Sequence, residues 1–136
     1  MSGMTADTPI LIVEDDPLIS DDLANLLGEK GYSTIQADNA LAAVNLIRNG
    51  AQPALILLDM LLPGADGWQF FAECRRSPAL RAFPVVVMTE LEVASEPWAR
   101  AMGAVDLLQK PIDVNRLFIV VQRYARRPGQ EIQPNL

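Results

Sequence analysis

Four places in this 136-residue chain carry side chains that could do chemistry together: Glu14-Asp15-Asp16, Asp59, Thr89 and Lys110. Carboxylates drawn into one place repel each other, and either protonation or a bound cation with a preference for oxygen relieves the repulsion. Magnesium suits such a set, because it keeps several waters and takes only one or two protein carboxylates. Asp15 and Asp59 would supply them, a backbone carbonyl near Leu61 would complete the protein's share, and Asp16 stands at the margin. With the charge screened, Asp59 could attack phosphorus and form an acyl phosphate, whose oxygens the Lys110 ammonium and the Thr89 hydroxyl would bind. Singly, each residue has an ordinary role: the acidic triplet ahead of Pro17 caps a helix, Asp59 opens a turn, Thr89 ends a strand and Lys110 is a solvated charge. Four separate segments delivering oxygens and one ammonium to the same rim are more than those roles require.

That rim needs a scaffold, and the apolar pattern supplies one. Five short runs, Pro9–Val13, Ser33–Ala37, Ala54–Leu58, Val85–Thr89 and Val105–Leu108, read as strands. Segments of helical period follow them: Pro17–Lys30, Asn39–Asn49, Gly67–Arg76, Glu96–Met102 and Asp113–Arg126. Four of the strand runs lack polar alternation, whereas Ser33–Ala37 alternates and suits a sheet edge, so the pattern predicts a parallel sheet covered by helices on both faces. Pro17 suits a first helical turn, Gly31 a position just past a helix, and Asp38 and Asp113 suit caps. In such sheets ligands bind beyond the carboxyl ends of the strands, where the four chemical segments fall.

Composition narrows the chemistry. No histidine is present, which excludes Ser-His-Asp and Cys-His catalysis, histidine metal sites and a phosphohistidine carried by this chain. A net charge of −6 opposes a sequence-independent grip on nucleic acid. No apolar stretch approaches membrane-spanning length and the opening residues lack a signal-peptide core, so a soluble protein of the cytoplasm is expected. The single Cys74 sits in a helical segment and reads as a buried structural thiol. Trp68 and Trp98 read as packing or edge residues.

The motifs VEDDP, LLDMLLPGADG, VVMTE and GAVDLLQKP, in this order, resemble the four signatures of bacterial two-component response-regulator receiver domains. The resemblance covers residues 7–127; residues 1–6 and 128–136 carry no periodicity and are expected to be flexible tails, with no output domain. It implies a doubly wound, flavodoxin-like (βα)5 fold with a parallel five-stranded sheet of order 2-1-3-4-5. It also implies phosphorylation by a sensor histidine kinase or histidine phosphotransfer protein, which explains why the chain needs no histidine of its own. By motif position Asp59 is the acceptor, Asp15 binds Mg2+ directly and Glu14 through water, Thr89 is the switch hydroxyl, and Lys110 is the lysine that precedes a cis bond to Pro111.

Several positions depart from the family pattern. Leu107 stands where an aromatic is usual, which predicts switching through Thr89 and the following loop without a ring flip. Glu90 follows the threonine where a small residue is typical, and its carboxylate is expected to face water. Pro97 in the helical segment 96–102 predicts a late or irregular start. Leu61 and Leu91 occupy the two positions that tune loss of the phosphoryl group, and neither can orient water, so a long-lived phosphorylated state is expected. On the last helix Val114, Leu117, Phe118, Val121 and Tyr124 form the expected core stripe. Ile119 and Val120 are left for a homodimer or effector contact, on a face shared with the fifth strand and the helix before it. A partner-binding module with an unused pocket is the main rival reading. An aspartate-nucleophile phosphatase would need a second acid where Leu61 stands, and a flavin carrier would need hydroxyls and glycine where EDDP stands.

Overall fold

The computed structural model describes residues 8–60, 66–91 and 94–125. Five strands run through it, β1 (Ile10–Val13), β2 (Thr34–Ala37), β3 (Leu55–Asp59), β4 (Val85–Thr89) and β5 (Asp106–Gln109). Between and after them lie α1 (Pro17–Glu29), α2 (Ala40–Arg48), α3 (Asp66–Arg76), α4 (Pro78–Arg81), α5 (Glu96–Met102) and α6 (Val114–Tyr124). All neighbouring strands pair in parallel, and their order is β2-β1-β3-β4-β5.

Strand side chains alternate between two cores, which is why the central strands carry no polar alternation. Leu11, Val13, Ile56, Leu58, Val85 and Val87 face α2, α3 and α5 through Val44, Phe70, Cys74 and Ala99. Ile10, Ile12, Leu55, Leu57, Val86 and Met88 face α1 and α6 through Leu23, Leu27, Leu117 and Val121. β2 lies at an edge, as its pattern predicts, but so does β5, whose burial also alternates because Asp106 and Leu108 point inward while Gln109 is exposed.

Helix starts follow local chemistry. Asp16 caps α1 by accepting from the Leu18 N–H at 2.9 Å, with Pro17 in the first turn, and Gly31 follows its end at φ 89°. Asp113 caps α6 by accepting from Asn115 and Arg116. The cap of α2 is Asn39, not the predicted Asp38: the Asn39 side chain accepts from Ala42 N, and Asp38 instead accepts from the Asn39 amide. Pro97 falls within the first turn of α5, where a missing N–H leaves no bond unmade, so the helix starts regularly after its Ser95 cap. Helix α4 was not anticipated: its four residues are too few to display a period.

The stripe of α6 is rotated from expectation. Val120 is fully buried with Leu117 and Val121, while Val114 is 40% exposed in the first turn. A helix seated over a sheet buries positions 117, 120, 121 and 124 on one side, and its first turn overhangs. Ile119 is exposed, as expected, and Val120 leaves the candidate contact surface. Among the described residues no helix is long and apolar enough to cross a membrane.

Candidate functional site

The strand ends bring the predicted groups together. Glu14 follows β1 and ties its backbone N–H to the Ala37 carbonyl of β2 at 3.0 Å, which fixes where the acidic triplet leaves the sheet. Asp59 is the last residue of β3 and Thr89 the last of β4; Met60 N–H donates to the Met88 carbonyl at 3.1 Å, so these two ends are locked in register. Lys110 follows β5, donates its backbone N–H to the Thr89 carbonyl at 2.7 Å and precedes a cis bond to Pro111.

Carboxylate oxygens of Glu14, Asp15 and Asp59 lie within 4.8 Å of one another. The Lys110 ammonium reaches Glu14 Oε1 at 2.9 Å and Asp59 Oδ2 at 3.2 Å, and Glu14, Asp59 and Lys110 are all largely shielded from solvent. Asp15 is exposed, at the mouth. Among the described residues, three carboxylates therefore face one ammonium. Burial pushes the Glu14 carboxyl up from 4.5 to about 7, and its hydrogen bond with Asp59 raises it further than the Lys110 contact lowers it. Burial alone would pull the Lys110 ammonium down, but the Glu14 hydrogen bond and the charge of Asp59 outweigh it, and the net shift is upward. Lys110 is thus a cation held between Glu14 and Asp59.

A buried carboxyl that retains a proton near neutrality lacks positive charge, and the missing charge suits a hard divalent ion with oxygen ligands. Glu14, Asp15 and Asp59 fit such an ion by donor type and by their clustering. The predicted Leu61 carbonyl lies outside the described residues.

Thr89 is fully buried, and its hydroxyl accepts from the Leu91 N–H at 3.0 Å. The Leu91 carbonyl in turn accepts from Gln109 Nε2 at 2.7 Å, so a strand-end side chain holds the loop after β4. Gln109 was missed in the sequence, where a polar residue before lysine on an edge strand carries no signal. Glu90 faces solvent, as expected, and borders a cavity of about 540 Å³ between α1 and Lys110-Pro111-Ile112. Leu107 is half-buried on the core side of β5. Cys74 is buried, and burial pushes its thiol up to about 11, the inert state expected of it.

Residues 10–122 match the family described as "Response regulator receiver domain". Protein PilH of Pseudomonas aeruginosa is 31% identical over 109 residues, which cover 79% of this chain and 89% of PilH. The phosphate regulon transcriptional regulatory protein PhoB of Escherichia coli is 34% identical, over 87% of this chain and 52% of PhoB. The chain thus spans about half the length of PhoB. Among solved structures, a two-component response regulator from Clostridium difficile superposes with a TM-score of 0.77 at 31% identity, covering 91% of this chain and all of that one. The receiver domain of a sensor histidine kinase from Pseudomonas aeruginosa, with magnesium ion coordinated in its active site cleft, gives 0.77 at 26% identity over 88% of this chain and 98% of that one. With the predicted strand order in place and four motif segments gathered at one edge, the chain belongs to the response regulator receiver domain family and is a phosphoryl-accepting domain of two-component signalling.

Proposed function

We propose that Asp59 is the phosphoryl acceptor, in a site where Asp15 and Asp59 hold Mg2+ directly, Glu14 holds it through water, and the Leu61 carbonyl completes the protein ligands. The observation that carries this reading is the shortage of positive charge: among the described residues Glu14, Asp15 and Asp59 share one ammonium, and the Glu14 carboxyl is raised to about 7. When bound, the metal supplies the missing positive charge and screens the acids from an incoming phosphoryl group.

The chain's own residues do the rest. An Asp59 oxygen attacks phosphorus, and a P–O bond forms as the P–N bond of a donor phosphohistidine breaks. The leaving imidazole stays on the donor and takes up a proton. Lys110, freed from Asp59, pairs with the phosphoryl oxygens, and the buried Thr89 hydroxyl donates to another of them. The donor is a sensor histidine kinase or a histidine phosphotransfer protein, the partner class with which receiver domains interact. Self-phosphorylation and slow loss of the phosphoryl group are the only chemistry, with no turnover of an external substrate, and the work is done in the cytoplasm. Ile119, half-exposed on α6, remains for a homodimer or effector contact, and the net charge of −6 argues against direct nucleic-acid binding by this domain.

Intact mass after treatment with acetyl phosphate and Mg2+ tests the acceptor. Wild type is expected to gain one phosphoryl mass and Asp59→Asn none; equal gain in both would defeat the assignment. The phosphorylated state is expected to persist, since Leu91 is exposed beside Thr89 and, like Leu61, offers no group to position water. Phosphate release from radiolabelled protein measures this, and a lifetime of seconds would overturn it.

A further inference from the structure

The acidic edge reaches the outer face of the molecule through helix α3. At Gly67, in its first turn, a built Cβ would lie 2.6 Å from Met60 Sδ, 2.9 Å from Met60 Cα and 3.1 Å from the Asp59 carbonyl oxygen. Only glycine allows that approach, so the start of α3 is pressed against the acceptor's own backbone and that of the next residue. Met60 cannot yield easily, being 2% exposed and bonded through its N–H to β4. A shift at Asp59–Met60 therefore moves the start of α3.

Trp68 is the next residue, and its ring meets Trp98 of α5 edge to face, with centroids 6.3 Å apart and planes at 88°. The other end of α5 also leans on α3: Gly103, its cap, sits where a Cβ would be 3.6 Å from the Phe71 ring. Seven residues are too few for a helix to hold itself, so α5 takes its position from what it packs against. Trp68 is 51% exposed, so its ring can turn on Trp98 without opening a void in the core. On the β5 side the corresponding contact is the aliphatic Leu107, half-buried and without a ring.

We propose that the Trp68–Trp98 contact transmits occupancy of the acidic site to α5, through Asp59–Met60, the glycine at 67 and the start of α3. This rests on the reading of Asp59 as the phosphoryl site. The ring pair is one contact with two geometries: the resting one described here, and one favoured when a phosphoryl group and metal displace the Asp59–Met60 backbone.

The test loads the full chain with Mg2+ and beryllofluoride and follows two independent signals. Fluorine resonances of the bound mimic report loading, and amide shifts of residues 94–104 report α5. Wild type is expected to show both, along with a change in emission, since Trp68 and Trp98 are its two tryptophans. Trp68→Leu is expected to load normally while the α5 response falls about threefold or more, the scale of a lost ring pair. Trp68→Phe should restore most of the response, and Trp98→Phe provides a second variant with little change in packing. In Trp68→Leu/Trp98→Leu the loss should not exceed that of the larger single variant, as expected for one shared contact. An undiminished α5 response in a loaded Trp68→Leu, or losses that add, would overturn the coupling alone. Failure of wild type to load would overturn the phosphoryl-site reading and the coupling with it.

Discussion

Two buried acidic centres belong to this sheet, one at its carboxyl edge and one at the amino end of β5, and they are wired differently. Asp106 on β5, 3% exposed, is fully served: its Oδ1 accepts from the Leu107 N–H at 2.8 Å and from Arg116 Nη2 at 3.1 Å, and its Oδ2 accepts from the Tyr124 hydroxyl at 3.1 Å. One carboxylate meets one guanidinium and two neutral donors. At the other centre Glu14, Asp15 and Asp59 meet Lys110. A balanced buried charge ties elements together, here β5 to α6, and leaves nothing for a ligand to add. An unbalanced one keeps a place for positive charge that arrives from outside.

Breaking the balance by pH gives the largest expected effect. In metal-free protein Glu14 binds a proton up to about pH 7, whereas the unfolded chain releases it near 4.5. The contribution is therefore fully present below 4.5, where both forms carry the proton, and is lost as pH rises from 4.5 through 7, where only the folded form keeps it, on the order of 3 kcal/mol at most. Urea unfolding between pH 5 and 8 in chelator measures it. Stability should fall with rising pH in wild type, the slope should flatten in Glu14→Gln, and added Mg2+ should reverse it at the alkaline end. A flat profile in chelator would show that the acidic centre is balanced after all.

Removing Asp106 is the next largest. Asp106→Ala leaves the Tyr124 hydroxyl and the Leu107 N–H without their acceptor and the Arg116 guanidinium unpaired, a loss of about 2 kcal/mol because Arg116 can still reach water. The same urea experiment should show a lower midpoint with no change in Mg2+ binding. A drop in metal affinity of similar size would mean that the two centres are coupled rather than separate.

Much of the acidic centre was legible in the sequence because its residues terminate strands. Once β1, β3, β4 and β5 are recognised as parallel, Glu14, Asp59, Thr89 and Lys110 must share an edge, whatever the helices do. The second centre was not legible: Asp106 interrupts an apolar run, and its partners Arg116 and Tyr124 are ten and eighteen residues away on a helix whose rotation the apolar pattern does not specify. That rotation depends on how far α6 overhangs the sheet, a tertiary quantity, and it moved Val120 inward and Val114 outward. Asn39 displaced Asp38 as a cap for a similar reason, since adjacent side chains of equal capping power are separated only by where the helix begins. Gly67 carried a weak signal, a glycine at the start of a helix, but what it touches is set by the Met60 side chain folded beneath it.

The smallest effect has the opposite sign and separates the two centres most directly. Asp59→Asn removes one acid from a group that already has too many, so Glu14 loses a neighbour whose charge raises it and can pair with Lys110 as a full anion. The cost includes the 3.2 Å contact between Lys110 and Asp59, and the gain is relief of repulsion among buried like charges. Because Glu14 remains beside the ammonium at 2.9 Å, the gain should win, and metal-free Asp59→Asn is expected to be about 1 kcal/mol more stable than wild type at pH 7.5. Asp106→Asn, of equal size and chemistry, should destabilise under the same conditions, since its acceptor oxygens are all in use. Parallel urea titrations in chelator decide between them. If both substitutions lower the midpoint, Asp59 is held as tightly as Asp106, and the acidic edge is a structural ion-pair network rather than a site awaiting charge.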